Sequence, residues 1–262
     1  MKVGVFDSGL GGLTIVAAML ERLKGSGIVY LADTANAPYG EKTKEQILEF
    51  SIRITEYLLR HHAIEALVVA CNTATSAAIA ELRERYSDLI IVGTEPGLKP
   101  AISHSHSKNV GVLATPATLE GQKYKALVEM LSQHYHVRVF EQPCPGLVQQ
   151  IESGETDTPA TLAMLEKWLS PMRNAGVDTI VLGCTHYPLV KGAIQTVMGY
   201  PVTFVESAEG VTNRLLYLME QKGHRNEGET SLELFATGAI QPAMVEKILG
   251  EKFSVAVLNS LQ

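Results

Sequence analysis

The segment Ile64-Glu65-Ala66-Leu67-Val68-Val69-Ala70-Cys71-Asn72-Thr73 returns 113 residues later as Val177-Asp178-Thr179-Ile180-Val181-Leu182-Gly183-Cys184-Thr185-His186. Each copy holds an unbroken apolar run, then a cysteine, then short polar side chains. Apolar runs without polar alternation suit strands of a parallel sheet covered on both faces. A second pair, Lys2-Val3-Gly4-Val5-Phe6-Asp7-Ser8 and Asn109-Val110-Gly111-Val112-Leu113-Ala114-Thr115, repeats at an offset of 107 residues, with helical periodicity after each copy. Two similar offsets in the same order predict two half-chains of one design.

The rest of the chain extends this pattern. Ile28–Leu31, Leu89–Val92 and Val137–Phe140 are further strand candidates, and Glu45–His62, Thr75–Tyr86, Leu119–Gln133 and Pro159–Ala175 have the periodicity of amphipathic helices. The expected class is α/β, with two similar doubly wound domains on mostly parallel sheets. The first domain is expected to take residues 1–95 plus 206–262, because Glu206–Gln262 continues with strand and helix patterns such as Leu232–Phe235 but lacks a third cysteine unit. Residues 96–205 form the second domain, with hinges near Pro96 and Glu206, and the active site is expected in the interdomain cleft of a pseudo-twofold pair. Closing such a cleft would expel water from the reaction.

Composition narrows the function. The 262 residues are 46% hydrophobic and 19% charged, with 22 Lys plus Arg against 28 Asp plus Glu, a formal net charge of −6. With no basic run to displace counterions, the chain is a poor nucleic-acid binder. No apolar stretch reaches the roughly 18 residues of a membrane span, and Asp7 with the glycines after it interrupts any signal-peptide core, so a cytoplasmic, membrane-free protein is expected. Three widely spaced cysteines argue against a disulfide framework.

In an open α/β sheet, ligands bind beyond the carboxyl ends of the strands. Asp7, Ser8, Cys71, Thr115 and Cys184 all fall there. Two thiols meeting one ligand from opposite faces could remove an α-proton on one side and return it on the other, inverting the stereocentre. Asp7 and His186 are the available helpers. Ser8, Asn72, Thr73, Thr115, Thr118 and Thr185, with helix N-terminal amides, suit carboxylate oxygens. Asp7 or Glu152 would answer a ligand ammonium. Other features read as structural. Cys144, between Pro143 and Pro145, has no partner in the repeat. The loop Gly9-Leu10-Gly11-Gly12 imitates a dinucleotide site, but Thr14 stands where its fingerprint needs glycine. His104/His106 and His134/His136 lack metal-ligand spacing and read as solvated, and Trp168 reads as core. No metal is expected.

The motifs Phe6-Asp7-Ser8-Gly9-Leu10-Gly11-Gly12-Leu13-Thr14, Ala32-Asp33-Thr34, Pro38-Tyr39-Gly40, Ala70-Cys71-Asn72-Thr73, Glu95-Pro96-Gly97 and Gly183-Cys184-Thr185-His186-Tyr187-Pro188-Leu189, in this order over nearly the whole chain, resemble the glutamate racemases of the aspartate/glutamate racemase superfamily. One departure is Ala117 and Gly121, where the family often shows Gly and Ser. The resemblance implies a bacterial, cofactor-independent homodimer that interconverts L- and D-glutamate and supplies D-glutamate for peptidoglycan, supporting cell-wall biogenesis and cell shape. It implies that Cys71 and Cys184 are the acid/base pair, Cys71 acting on D-glutamate and Cys184 on L-glutamate. Asp7, His186 and Glu152 would assist. It also places Ser8, Pro38, Tyr39, Gly40, Asn72, Thr73, Thr115, Thr118 and Thr185 against the substrate, with Tyr39 over the cleft. An aspartate racemase, an amidohydrolase using Cys184 with His186, and a binding protein for acidic amino acids remain alternatives.

Overall fold

In the computed structural model, which describes residues 1–261, the chain divides into two units, Met1–Thr94 with the segment from Ala208 onward, and Glu95–Ser207. The first begins β1 (Lys2–Asp7), α1 (Leu13–Arg22), β2 (Gly27–Ala32), α2 (Lys44–His62), β3 (Ala66–Val69), α3 (Asn72–Arg85) and β4 (Ile90–Gly93). The second runs α4 (Leu98–His104), β5 (Asn109–Ala114), α5 (Pro116–Glu120), α6 (Gln122–Tyr135), β6 (Arg138–Pro143), α7 (Leu147–Glu152), α8 (Pro159–Asn174), β7 (Thr179–Gly183), α9 (Lys191–Met198) and β8 (Thr203–Val205). The chain then returns to the first unit with α10 (Ala208–Gln221), β9 (Ser231–Ala236), α11 (Pro242–Leu249) and β10 (Val255–Val257).

All described strand pairings are parallel. The first sheet has the order β10-β9-β2-β1-β3-β4 and the second β6-β5-β7-β8. Matching β5 to β1, β6 to β2, β7 to β3 and β8 to β4, the second sheet repeats the last four strands of the first. The sequence repeat is thus a repeat of topology, with β9 and β10 added on one edge only. The fold is α/β with two doubly wound parallel sheets.

The strands buried on both faces match the apolar runs. β3 is entirely buried, as is β7. On α2, Ile47, Ile54 and Leu58 turn inward to pack with Val29, Leu31 and Val69, each side chain contributing about 1.5–3 kcal/mol of transfer free energy. Thr43 caps this helix by accepting from the Gln46 N–H, while Gln46 Oε1 accepts from the Thr43 N–H.

Four expectations are corrected. Leu119–Gln133 is not one helix: Thr115 caps α5 with Pro116 in the first turn, and Gly121, in an extended conformation, separates α5 from α6. α3 starts at Asn72 rather than Thr75, because Cys71 itself is the cap. β6 has no fully buried residue because it lies at the sheet edge. Trp168 is only half-buried, since Leu165, Leu169 and Met172 take the inward stripe of α8. The short strands β8 and β10, three residues each, carry no pattern long enough to read in sequence.

Asp178, before β7, secures the loop leading into β5. Its carboxylate accepts from Ser105 Oγ at 2.7 Å, the His106 and Ser107 N–H groups at 2.8 and 2.7 Å, and Thr179 Oγ1 at 3.0 Å. Burial pushes this carboxyl up, but the hydrogen bonds outweigh it and hold the group down at about 2, below the ordinary 3.8. A carboxyl with a depressed folded pKa adds stability above its unfolded pKa and loses it as the pH falls. Asp178→Asn should therefore cost about 1 kcal/mol at pH 7, after screening at this half-buried site. In chemical denaturation the difference from the parent should shrink between pH 4 and pH 2; a constant difference would refute the assignment.

Candidate active site

Both repeated cysteines lie just past a central strand and are buried, Cys71 at 6% and Cys184 at 8% exposure. Cys71 sits two residues beyond β3 in extended conformation, and its sulfur accepts the Ala74 N–H at 3.4 Å as the N-cap of α3. The positive end of the helix dipole favours negative charge on a sulfur held there. Cys71 Sγ donates to Ser8 Oγ at 3.8 Å, and Ser8 Oγ donates to Asp7 Oδ1 at 3.4 Å. Asp7 is fully buried at the end of β1. Its Oδ1 also accepts the Ser8 N–H at 2.7 Å, and its Oδ2 the Gly12 N–H at 2.5 Å. It therefore both fastens the glycine turn and ends a hydrogen-bonded chain from the Cys71 thiol.

Cys184 follows β7 directly. Its sulfur is 3.8 Å from His186 Nδ1, and His186 Nε2 lies 2.8 Å from Glu152 Oε1. Glu152 comes from the last turn of α7, 34 residues earlier in the chain. A carboxylate on Nε2 favours the tautomer protonated there, leaving Nδ1 to accept from the thiol. Each unit thus backs its cysteine with a two-step polar chain ending in a carboxylate. The chains use non-equivalent positions: by the repeat, Asp7 corresponds to Ala114 and His186 to Thr73.

The other expected residues distribute as follows. Thr115 caps α5, its hydroxyl 3.0 Å from that of Thr118. Thr73 and Thr185 are buried beside the two cysteines. Asn72 donates to the Thr94 carbonyl at 3.5 Å, while its Oδ1 is buried without a protein partner. Pro38 and Gly40 are half-buried, but the Tyr39 ring is 1% exposed and packs in the same core cluster as Cys71. Its hydroxyl donates to Asp33 Oδ2 at 2.6 Å, and burial followed by the Asp33 charge pushes its pKa well up. The Tyr39 phenol is therefore engaged by protein.

Cys144 is buried and donates to the Gln142 carbonyl at 3.4 Å. Burial, with the Cys184 charge, pushes its thiol up to about 12 against a hydrogen bond from Tyr187. It does have a counterpart in the repeat: its N–H donates to Ala114 O as the Asp33 N–H donates to Asp7 O, so the equivalent of Cys144 is Asp33. The histidines at 104, 106, 134 and 136 are exposed. Among the described residues no group of three or more His, Cys, Asp or Glu is placed to hold a metal ion, and no helix is long and apolar enough to cross a membrane.

Sequence reasoning passed over Asp33 as a site element. It is fully buried and ties Asn36, Tyr39 and Thr237 together. Its place at a strand end was a usable signal; Thr237, 204 residues away, offered none.

Comparison with known proteins places the chain in a family. A model of the Asp/Glu/hydantoin racemase family matches residues 4–210. The glutamate racemase of Sulfurovum sp. (strain NBC37-1) is 55% identical over 251 residues, 96% of this chain and 95% of that one. A solved glutamate racemase from Bacillus anthracis superposes with a TM-score of 0.87 at 31% identity, over 98% of this chain and 97% of that one. The Francisella tularensis glutamate racemase, solved with D-glutamate, gives 0.85 at 26% identity, over 99% and 97%. The chain belongs to the Asp/Glu/hydantoin racemase family, as an amino-acid racemase of its glutamate racemase branch.

Proposed function

We propose that this racemase interconverts L- and D-glutamate without a cofactor, Cys71 and Cys184 exchanging the α-proton on opposite faces of one carbon. The observation that carries the reading is the pair of backed thiols, Cys71–Ser8–Asp7 and Cys184–His186–Glu152. One cysteine, as thiolate, takes the α-proton; the other, as thiol, delivers its own to the opposite face, and the two exchange roles after each turnover. Cys71 acts on D-glutamate and Cys184 on L-glutamate.

The donors around the thiols suit a small amino dicarboxylate. Ser8, Thr73, Thr115, Thr118 and Thr185 offer hydroxyls, α3 offers N-terminal amides, and the unpartnered Asn72 Oδ1 offers an acceptor for an ammonium N–H. Pro38, Tyr39 and Gly40 would meet the substrate through the backbone of their loop. The bound D-glutamate of the Francisella relative supports the substrate class. The enzyme would work as a cytoplasmic homodimer, free of nucleic acid and membrane, supplying D-glutamate for peptidoglycan and hence for cell-wall biogenesis and cell shape.

The test is proton NMR of L-glutamate in heavy water with purified protein and no additive. The α-proton signal should disappear while D-glutamate accumulates. Exchange with aspartate alone would keep the chemistry and change the substrate; exchange with neither would defeat the reading. The Cys184–His186–Glu152 alignment also suits a cysteine hydrolase, but that chemistry gives the backed thiol of Cys71 no task.

A further inference from the structure

We infer that Thr237, at the end of the C-terminal strand β9, is a positioning residue for the substrate loop at 34–40. The inference rests on the reading that residues 38–40 touch glutamate. Thr237 lies beyond the residues matched by the family model, which end at 210. β9 pairs with β2 so that Ala236 stands beside Ala32, bringing Thr237 level with Asp33. The Thr237 N–H donates to Ala32 O at 3.0 Å. Its hydroxyl donates to Asp33 Oδ1 at 2.7 Å and accepts the Ala35 N–H at 3.1 Å.

One hydroxyl thus joins a buried carboxylate to the backbone of the loop. Asp33 spreads that hold: its other oxygen accepts from Tyr39 at 2.6 Å, Asn36 Nδ2 donates to both oxygens, and its N–H donates to Asp7 O at 2.9 Å. Gly238 completes the seat. A Cβ there would stand 3.0 Å from the Ala35 nitrogen and 3.2 Å from Thr34 Oγ1, so the two segments touch closely only because the residue is glycine. The register of Tyr39 beside Cys71 therefore depends on a residue from the far end of the chain. Losing the Thr237 donor leaves Asp33 short of one charge-assisted bond and frees Ala35.

Thr237→Val keeps the shape and removes the hydroxyl. It should raise KM for both glutamate enantiomers about tenfold, the size of one lost charge-assisted hydrogen bond, with kcat changed much less. Amide exchange over residues 35–41 should quicken while β1 and β3 stay protected. Thr237→Ser should restore both readouts. Gly238→Ala, which pushes on Ala35 with the hydroxyl intact, should reproduce the KM rise and covers the case in which the valine variant fails to fold. Unchanged loop exchange with unchanged KM overturns the role of Thr237 whatever residues 38–40 do. Faster loop exchange with unchanged KM shows that the loop does not hold glutamate, overturning that part of the proposed function. A purely structural role would lower Tm and leave KM, measured well below Tm, at the parent value.

Discussion

Cys71→Ser should reduce racemisation by about a thousandfold or more in both directions, within the range that a positioned acid or base contributes. A serine hydroxyl is far too weak an acid to be ionised near neutrality, so the variant has no base on that face. The Ser8–Asp7 chain offers no replacement, because Ser8 is itself a hydroxyl and the Asp7 carboxylate is held in place by the Ser8 and Gly12 N–H groups. The fold should tolerate the change. Serine is a good N-cap, and its oxygen can take the Ala74 N–H that the sulfur holds now, so Tm should stay within a few degrees. The measurement is kcat for each enantiomer beside a thermal melt. Full activity in a folded Cys71→Ser protein would mean that one thiol suffices, and the two-base mechanism would have to be abandoned. Hydrolytic activity through Cys184 alone would survive the substitution.

The second large effect is expected at Gly12, the N-cap of α1. Its φ of −60° is open to any residue, so the constraint is space. A Cβ on Gly12 would sit 2.8 Å from Asp7 Cβ and 3.0 Å from both Ala70 Cβ and the Tyr30 hydroxyl. Two of these neighbours are Cβ atoms fixed to central strands or their ends, and the hydroxyl is bound to Gly9 O at 2.7 Å. None can swing aside as a long side chain would. Gly12→Ala should cost about 2–3 kcal/mol by overpacking, lowering Tm by about 5–10 °C. It should also lower kcat at least about tenfold, since pushing Asp7 away from the Gly12 N–H disturbs the chain to Cys71. Gly210→Ala on α10, where nothing lies within 4 Å, is the contrasting control and should be neutral or slightly stabilising. If Gly12→Ala melts and turns over like the parent, the packing argument fails.

The sequence by itself determined the α/β class, because short Val- and Ile-rich apolar runs such as Ala66–Ala70 and Thr179–Leu182 have no polar face and alternate with segments of helical periodicity, the pattern of strands covered on both sides. It also determined where the two repeated cysteines lie, since the repeat carries one past the same strand in each half. These features are local: periodicity and strand-end placement are written in consecutive residues. Tertiary structure decided what stands behind each thiol. Nothing in the spacing of Asp7, Ser8 and Cys71 shows that the serine bridges the acid to the sulfur, and nothing around Glu152 marks it from other helix-end acids until α7 brings it to His186. The hold of Thr237 on Asp33, across 204 residues, is further still from being legible. It exists because β9 adds to the sheet beside β2, and strand addition at an edge follows from the burial of whole surfaces, which no single segment of sequence contains.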